Sequence, residues 1–390
     1  MYEHSELLTQ VYYKLTEIAK YDYRFLIEEK RGISMWKRTS YFLLAILVAL
    51  TALLGVSVTS AQESEVGPWT IGVSNGFVGS EWRTQMIQNI EDVVAEFNDA
   101  GVELDLVIES ADVDVQGQVQ QIQNLINRGV DAIIINPNDQ TGLNLVLEEA
   151  AAAGIVVIAV DQEVSSPDAL NVVIDQKEWA KISARWLADQ LGGAGDIVLI
   201  EGFVGHPANE ARMEGVAEVL ANYPDINVVG RESGMWDQAT GQQVMSDFLA
   251  SLPNIDGVWT QDGMAQGALT ALRTANPDEW PVMVGEARAG YLQLWNEVRQ
   301  ERPDFTSFGV VNPPGIGADG IRVALEILSG ETVDAAQLEG PFNNTLYVPI
   351  PYSVSGENFE EHYSRIADAP ESYTLDGFIN QAQADGFMTD

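Results

Sequence analysis

The strongest constraint on the fold is an alternation of short apolar runs with longer helical stretches along most of the chain. Several of the apolar runs are apolar at every position, which is typical of strands that are covered on both faces of a sheet. We predict ten strands, at 69–75, 104–110, 131–137, 155–161, 171–174, 195–202, 226–232, 257–262, 282–287 and 306–312. We predict helices between them, such as 80–97, 115–128, 176–191, 209–221 and 240–252. Repeated βα units build parallel sheets with right-handed crossovers, so the sequence predicts an α/β protein.

The tetrapeptide GFVG occurs twice, at residues 76–79 and 202–205, each time after a predicted strand. These strands are the first and the sixth of the series, so each copy would open a separate doubly wound sheet. Both loops would lie at the carboxyl ends of their strands, which is the edge where open α/β sheets bind ligands. The sequence therefore predicts two similar lobes whose binding edges face each other across a cleft.

The N-terminal residues 1–61 predict an extension followed by an export signal. A basic pair at 37–38 precedes an apolar segment at 42–56, and small residues at 59–61 match what a signal peptidase recognises. The apolar segment is shorter than the ~20 residues of a typical transmembrane helix. We therefore predict cleavage after Ala61 and a periplasmic or extracellular mature chain, with an uncleaved membrane anchor as the alternative.

The charge balance excludes several classes of partner. The chain has 20 Lys and Arg against 58 Asp and Glu, a formal net charge of −38, and no cysteine. Such a surface repels nucleic acid and anionic membranes, and the lack of cysteine excludes disulfides and thiol chemistry. From residue 62 onward only Lys177 and Lys181 remain of the lysines. This composition indicates either adaptation to high salt or simply an acidic secreted protein.

Six stretches in the same order carry a resemblance to a known family. They read "TIGVSNGFVGSEWR", "QIQNLINRGVDAIIINPNDQTGL", "GIVVIAVDQ", "GHPANEARMEG", "GVWTQDGMAQGALTAL" and "TLYVPIPY". Together they cover about residues 69–352 and resemble the periplasmic sugar-binding proteins of ABC transporters, of the ribose-binding and galactofuranose-binding type. The resemblance implies the type I periplasmic binding protein fold, in which a three-crossing hinge joins two doubly wound parallel-sheet lobes.

The resemblance also implies where the lobes divide. The hinge crossings fall near Asp175, Val310 and Glu339. The N-terminal lobe would comprise 62–174 with 311–339, and the C-terminal lobe 175–310 with 340–390. The tail from about residue 353 is longer than the family usually needs, and we expect it to add a helix or two to the C-terminal lobe.

Residues at the strand ends supply a candidate ligand site. A sugar presents hydroxyls and apolar C–H faces, so its site needs ionised acceptors, guanidinium donors and flat aromatic rings. The candidates are Asn75, Phe77, Trp82, Arg83, Asp161, Arg212, Trp236, Gln261, Asp262, Glu286 and Asn312. By resemblance, Asp161 and Arg212 are the acceptor and the donor for ring hydroxyls. Trp82 and Arg83 resemble the Trp-Arg pair of the galactofuranose-binding relatives, and Trp236 takes the place of an aromatic wall residue.

Three positions depart from the family pattern. Gln162 stands where the family often has Arg, and Gln261 replaces the Asn of an Asn-Asp pair. The family's Gly-Phe-Asp strand end is Gly-Glu-Ala at 285–287, so that Glu286 or Arg288 would have to replace the missing Asp. These changes leave the identity of the sugar open.

The candidates also have purely structural interpretations. Asp262 is suited to cap the helix that follows it, and Arg212 to form a surface ion pair. Trp82 and Trp236 are suited to the core. We expect His206 to be a loop residue rather than a ligand-binding one.

Enzymatic interpretations have weaker support. The GVSNG stretch at 72–76 matches the G-x-S-x-G elbow of α/β-hydrolases, with Ser74 as nucleophile and His206 or His362 as base, but no helix directly follows the serine. GFVG lacks the G-x-G-x-x-G spacing of dinucleotide sites. The two histidines of the mature chain lie far apart in the sequence, which disfavours a dedicated metal site.

The sequence thus predicts an exported solute-binding protein that captures a pentose, a hexose or a related polyol and delivers it to an ABC transporter permease. We expect a monomer that is not an enzyme, needs no cofactor and binds no nucleic acid. A sensing role, in which the same cleft serves a membrane receptor or kinase, is the alternative that the sequence leaves open.

Overall fold

The protein is represented by a computed structural model that describes residues 67–78 and 81–389. The predicted N-terminal extension and export signal, residues 1–61, lie outside the described residues. Within the described ranges, no helix combines the length and the apolar character that a bilayer-spanning segment requires.

The strands follow the predicted series closely. They are β1 (Trp69–Asn75), β2 (Leu104–Ser110), β3 (Ala132–Asn136), β4 (Val156–Val160), β5 (Leu170–Val173), β6 (Ala194–Glu201), β7 (Asp225–Ser233), β8 (Gly257–Thr260), β9 (Val282–Glu286), β10 (Ser307–Val310), β11 (Leu338–Glu339), β12 (Thr345–Tyr347) and β13 (Ser353–Ser355). The helices are α1 (Glu81–Asp99), α2 (Val115–Arg128), α3 (Asn144–Ala152), α4 (Gln176–Gln190), α5 (Pro207–Leu220), α6 (Gln238–Ser251), α7 (Met264–Ala275), α8 (Ala289–Glu301), α9 (Ile316–Leu328), α10 (Phe359–Tyr363) and α11 (Gln381–Asp385), with a 3₁₀ turn at Ala335–Gln337.

The strands form two sheets with matching strand orders. The first sheet is ordered β11-β12-β5-β4-β3-β1-β2, and the second is ordered β13-β10-β9-β8-β6-β7. Neighbouring strands are parallel, except in the pairs β11–β12 and β10–β13. In each sheet the first strand lies between the second and the third, which creates a topological switch point where open α/β sheets bind ligands. The prediction of two similar doubly wound parallel-sheet lobes is confirmed.

Both faces of the first sheet are buried, as its continuously apolar strands predict. Along β3, Ala132 and Ile134 join the apolar cluster that includes α1 and α9. Ile133 and Ile135 join a second cluster, with α2 and α3, on the other face. The residues of β6 alternate between two clusters in the same way. This two-sided burial holds the strand ends, and with them the loops that follow, in fixed positions.

Side-chain caps set the start of key helices. The carboxylate of Asp114 accepts a 2.8 Å hydrogen bond from the backbone N–H of Gly117, and Gly129 ends α2 in the left-handed region, at φ 71°. Asp175 caps α4 in the same manner, accepting 2.9 Å bonds from the N–H groups of Lys177 and Glu178. Such caps satisfy backbone donors that a helix leaves free at its start.

The predicted third crossing, near Glu339, is wrong. Strand β11 pairs with β12, and β12 lies parallel to β5 in the first sheet. The chain therefore returns to the second sheet after Tyr347, between β12 and β13. The physical reason is that β12 covers the edge of β5 and buries Leu346, which is 1% exposed.

The assignment of the whole tail to the C-terminal lobe is also wrong. Strand β13 pairs with β10, and α10 packs on α8, so the first part of the tail does lie on the second sheet. The last part returns to the first lobe, where α11 packs on α9 and Met388 forms a backbone bridge with Val333. The N–H of Ile379 donates to Asp319 at 2.8 Å, which fixes this return. The tail thus makes a fourth passage between the lobes.

Candidate functional site

A cleft of about 950 Å³ opens between the carboxyl ends of the two sheets. Eight of the predicted site residues line it. They are Phe77, Trp82, Arg83 and Asp161 of the first lobe, Arg212, Trp236 and Asp262 of the second, and Asn312 after β10. The other three, Asn75, Gln261 and Glu286, are buried and do not line the cleft themselves. Both GFVG loops lie at its edge, because Phe77 and Phe203 line it as well.

In the first lobe, Asn75 at the end of β1 organises the loop and positions an arginine. Its amide nitrogen donates to the carbonyl of Phe77 at 2.9 Å, and its amide oxygen accepts from Arg83 at 3.0 Å. The guanidinium lies 5.8 Å from the centroid of the Phe77 ring. Burial lowers the pKa of Arg83, and the charge of Asp161 opposes that shift. Asn75 is therefore a buried residue that positions its neighbours, while Arg83 and Phe77 face the cleft.

Asp161 follows β4 directly and is an acidic residue of the first lobe that lines the cleft. The amide of Asn136 lies 3.4 Å from its carboxylate and that of Gln162 lies 3.5 Å away. Burial raises the pKa of Asp161, and the charges of Arg83 and Arg212 oppose the shift. Because Arg212 belongs to the other lobe, the electrostatics of this carboxylate already link the two sides of the cleft.

Two tryptophan indoles hydrogen-bond to the segment after β10, where the chain crosses between the lobes for the second time. The Nε1–H of Trp82, in the first lobe, donates to the carbonyl of Asn312 at 2.9 Å. The Nε1–H of Trp179, on α4, donates to the carbonyl of Val311 at 3.1 Å. Trp82 is 6% exposed and belongs to the core, as its structural interpretation expects, and it also lines the cleft. Its contact with a ligand stays a prediction.

Arg212 is the centre of the second lobe's polar network. Its Nε donates to Gln176 at 2.8 Å, and its Nη1 donates to Gln261 at 2.9 Å. The same Nη1 lies 3.4 Å from the carboxylate of Asp262. The guanidinium stacks on Trp179, 4.2 Å from the ring centroid, and the side chain is only 2% exposed. The surface ion-pair interpretation of Arg212 is therefore wrong.

Trp236 forms an aromatic wall of the second lobe. Its Nε1–H donates to the oxygen of Gln261 at 2.9 Å, the same oxygen that Arg212 contacts. A Cβ atom on Gly202 would lie 2.2 Å from the indole, so only glycine lets the first position of the second GFVG loop approach the ring. The indole is thus oriented by a hydrogen bond at its edge and by the loop backbone at its side.

His206 lies in the loop before α5, as expected, and its side chain also lines the cleft. Its ring lies edge-on to Trp236 at 4.7 Å, and its Nδ1 accepts from the N–H of Ala208 at 3.3 Å, capping α5. Burial lowers the pKa of His206 to about 4, and the charges of Arg212 and Arg83 add to the shift. The ring is therefore neutral at physiological pH.

Asp262 and Glu286 form an acidic pair in the second lobe's polar network, with Arg288 nearby. Burial and the neighbouring Asp262 charge raise the pKa of Glu286 well above its usual range. Burial alone would raise the pKa of Asp262 too, but a hydrogen bond from Glu286 and the charges of Arg212 and Arg288 lower it. Within the described residues neither oxygen of Glu286 meets an amide, hydroxyl or guanidinium donor. The two shifts favour a protonated Glu286 beside an ionised Asp262.

Strained backbone concentrates at the cleft. Six non-glycine residues of the described chain have positive φ, and four of them line the cleft: Asp161, Met235, Trp236 and Asp262, at φ 68°, 57°, 55° and 52°. Such conformations cost free energy and persist where the surrounding structure demands them, commonly at functional sites. The four residues come from both lobes, so the strain marks the shared cleft rather than one loop.

Several residues of the cleft lining escaped the sequence analysis. Asn138, Gln238 and Gln266 face the cleft together with Gln162, which was considered only as a departure from the family pattern. Asn138 lies two positions beyond β3, so a strand-end rule applied to that strand points to it. Glu371 and Ser372 come from the tail, and no local pattern in the sequence places them at the cleft.

The structure does not support the hydrolase interpretation. Ser74 lies inside β1, is fully buried, and donates to Gln121 at 2.9 Å instead of facing the cleft. His362 lies on α10 and stacks on Tyr352, 4.4 Å between ring centroids. Among the residues that the structure describes, no group of three or more potential ligands is placed to hold a metal ion.

Comparison with known proteins agrees with this geometry. The family described as periplasmic binding protein domain matches residues 71–332. A xylitol-binding protein of Mycolicibacterium smegmatis is 37% identical over 233 residues, which are 59% of this chain and 65% of that protein. The ribose import binding protein of Bacillus subtilis is 28% identical over 249 residues, 63% of this chain and 79% of that protein.

A solved structure gives the same fold. The binding protein of the arabinose ABC transporter from Shewanella sp. ANA-3, bound to α- and β-L-arabinofuranose, superimposes with a TM-score of 0.65 at 26% identity. The match covers 76% of this chain and 95% of that one.

Proposed function

This chain belongs to the periplasmic binding protein domain family, and on that premise we propose that it is an exported solute-binding protein for a sugar or a polyol. The ligand binds in the cleft between the lobes, and the loaded protein delivers it to the permease of an ABC transporter. The xylitol-binding and ribose-binding relatives support the ligand class, since one ligand is an acyclic polyol and the other a pentose.

One observation carries the proposal: each lobe brings both a carboxylate and a guanidinium to the same cleft. Asp161 and Arg83 face Asp262 and Arg212 across it. A hydroxyl both donates and accepts hydrogen bonds, so a polyhydroxylated ligand satisfies charged acceptors and charged donors at once. A solute that lacks those hydroxyls would leave the buried charges unmatched, which costs roughly 1–3 kcal/mol per group.

The aromatic residues complete the fit. Phe77 and Trp82 on one side and Trp236 on the other present flat apolar area to the C–H faces of a sugar. A ligand that contacts both lobes stabilises the closed form through contacts that the open form lacks. The closed form is what we propose the permease recognises.

We propose binding without turnover. The polar groups of the cleft bond to one another and to backbone groups, and the serine that a hydrolase would use is buried in β1. We also propose that the mature protein is a periplasmic or extracellular monomer, in keeping with the export signal read from the sequence.

A thermal-shift screen of the purified protein against pentoses, hexoses, polyols and nucleosides tests this function. A ligand that binds only the folded state raises the melting temperature by mass action. We expect at least one sugar or polyol to raise it in a concentration-dependent manner and to be recovered unchanged. A shift caused by nucleosides alone, or consumption of the sugar, would contradict the proposal.

A further inference from the structure

The tail of the chain contributes to the cleft although it lies beyond the residues that match the family. The match ends at residue 332, and the tail runs from β13 to residue 389. Glu371 and Ser372 of the tail nevertheless line the cleft. The family relationship therefore assigns these two residues no role, and their role has to be derived from the contacts that this chain makes.

The backbone of the tail is fixed to the binding edge of the second sheet. Three hydrogen bonds of 2.7, 2.9 and 3.0 Å join residues 287–290, which follow β9, to residues 371–375. Arg288 and Thr374 form an antiparallel bridge in the middle of this contact. The tail thus runs beside the strand end that carries Glu286, at the same edge as the rest of the site.

The other side of the tail contacts the first lobe. The side chain of Gln85, on α1, donates to the carbonyl of Thr374 at 2.9 Å and accepts from its N–H at 3.0 Å. Asp376 accepts a further bond from the N–H of Gly315, at 2.8 Å, just before α9. Because both lobes hold the segment, it forms a third side of the cleft rather than a loose end.

The side chain of Glu371 is oriented and still has acceptor capacity. The amide of Gln266, itself a cleft residue, donates to one oxygen of Glu371 at 2.7 Å. An ionised carboxylate has about four acceptor positions on its two oxygens. A single amide donor leaves room for a ligand hydroxyl, and the bond to Gln266 selects one position of the carboxylate in advance.

Donors lie next to this acceptor. Arg288 lines the cleft beside the tail, and within the described residues its buried Nε–H has no hydrogen-bond partner. Ser372 adds a hydroxyl. A charged acceptor and a charged donor on neighbouring segments match hydroxyls on adjacent carbon atoms, each of which donates and accepts.

We propose that Glu371 is a specificity-determining residue that accepts a hydrogen bond from a hydroxyl at one end of the ligand, with Arg288 and Ser372 beside it. This inference rests on the proposed function and refines its ligand class. The tail side selects solutes whose hydroxyls extend to it, such as acyclic polyols and sugars with an exocyclic hydroxymethyl group, over shorter solutes that reach only the Asp161 and Arg212 side.

Binding constants for Glu371→Gln test the proposal against a matched variant. Glu357→Gln changes an exposed glutamate of the same tail that does not line the cleft. Affinities for xylitol, D-ribose, L-arabinose and myo-inositol are measured calorimetrically for the wild type and both variants, with melting temperatures to confirm folding. We expect E371Q to lower the affinity for xylitol, an acyclic polyol, about tenfold. Its effect on myo-inositol, a ring without a hydroxymethyl group, should be smaller, and E357Q should change no affinity.

The outcomes separate the two proposals. If the wild type binds no pentose, hexose or polyol, the proposed function fails and this inference fails with it. If the wild type binds but E371Q leaves every affinity within about twofold of the wild type, as E357Q does, the function stands and the role of Glu371 is overturned. If E371Q lowers the affinity for every solute by the same factor, Glu371 contributes to binding without discriminating among solutes, and its proposed role in specificity is overturned.

A second measurement does not depend on the charge of Glu371. The chain contains no cysteine, so Ser372→Cys introduces a single thiol at the cleft. Saturating ligand should slow its alkylation by iodoacetamide about fivefold or more, because the ligand covers it. Ser364→Cys, at an exposed tail position, provides the control and should react at the same rate with and without ligand. If the thiol at position 372 reacts at the same rate with and without ligand, as the control thiol at position 364 should, the cleft does not extend to the tail.

Discussion

The two GFVG loops have the same sequence and nearly equally exposed phenylalanines but different neighbours. Phe77 and Phe203 are 45% and 48% exposed at the edge of the cleft. A Cβ atom on Gly76 would lie 2.2 Å from the amide of Asn138, whereas one on Gly202 would lie 2.2 Å from the ring of Trp236. The repeated tetrapeptide thus provides the same close backbone approach in both lobes. The chemistry of each side comes from the residue that packs against the glycine.

The lobes also differ in how they hold their charges. Arg212 and Asp262 of the second lobe belong to one network with Gln176, Gln261 and Trp236. In the first lobe, the carboxylate of Asp161 has amide neighbours only at 3.4 and 3.5 Å. We infer that the second lobe is organised before ligand arrives, while Asp161 gains its best hydrogen bonds from the ligand. Mutations in the second lobe's network should therefore lower both stability and affinity, whereas a mutation at Asp161 should lower affinity alone.

The largest effect is expected for Arg212→Ala. The change removes a buried donor from three side chains, so we expect affinity to fall at least tenfold, about 1.4 kcal/mol, and the free energy of unfolding to fall by about 3 kcal/mol. Calorimetric binding and urea unfolding measure the two quantities. Arg185→Ala, which breaks the contact of a 51% exposed arginine with the 41% exposed Glu178, is the control and should cost less than about 1 kcal/mol. Equal losses of stability in the two variants would contradict the claim that Arg212 organises the second lobe before ligand arrives.

Asp161→Asn should affect binding alone. Asparagine keeps the shape and tolerates the left-handed φ of 68°, so the fold has no new strain. Burial raises the pKa of Asp161, which means that the fold disfavours the ionised form, so its removal should not lower the free energy of unfolding at pH 7. We expect affinity to fall at least tenfold, about 1.4 kcal/mol, in the same calorimetric assay. A lowered melting temperature with unchanged affinity would show that Asp161 is a structural residue.

Glu286→Gln should produce the smallest effect, visible in its pH dependence. The folded-state pKa of Glu286 is raised well above 4.5, so the unfolded chain releases this proton at a pH where the folded protein still holds it. Stability from Glu286 is therefore fully present below about pH 4.5 and is lost as pH rises toward the folded-state pKa. Glutamine mimics the protonated acid and has no proton to lose.

We therefore expect the melting temperature of E286Q to rise relative to the wild type between pH 4.5 and pH 8, while the two proteins agree below pH 4.5. Scanning calorimetry across that range provides the comparison. A difference that stays constant with pH, or that shrinks as pH rises, would mean that Glu286 is ionised in the fold and that Asp262 is not its hydrogen-bond acceptor.

The sequence predicts the frame of the molecule well because local signals agree there. The bounds of β1 at 69–75 and of α2 at 115–128 match the prediction to the residue. Apolar residues at 69, 71 and 73 mark β1, and Asp114 and Gly129 cap the helix, so each signal lies in the segment itself or directly beside it. The strand-end rule likewise predicts that Asp161 and Asp262 lie at the cleft, because both follow closely after strands of the two sheets.

What could not be predicted depends on contacts between distant segments. The side chain of Thr345 is fully buried beside β5, yet no local feature of its strand says which sheet it joins. Glu371 reaches the cleft through backbone pairing with residues after β9. His206 lies in the cleft because its ring packs on Trp236, 30 positions later (236 minus 206). In each case the deciding partner is far away in the chain, and the local sequence carries no signal of the pairing.

The most direct test of the account is the distance between the two GFVG loops with and without ligand. Val78 and Val204 are 44% and 58% exposed, and the chain has no cysteine, so a Val78→Cys, Val204→Cys variant accepts one spin label on each lobe. A Val204→Cys, Val228→Cys variant, with both labels on the second lobe, is the control. We predict that the sugar or polyol with the largest thermal shift shortens the label-to-label distance between the lobes, narrows its distribution and leaves the control distance unchanged. An unchanged distance between the lobes at saturating ligand would contradict the claim that the ligand bridges them.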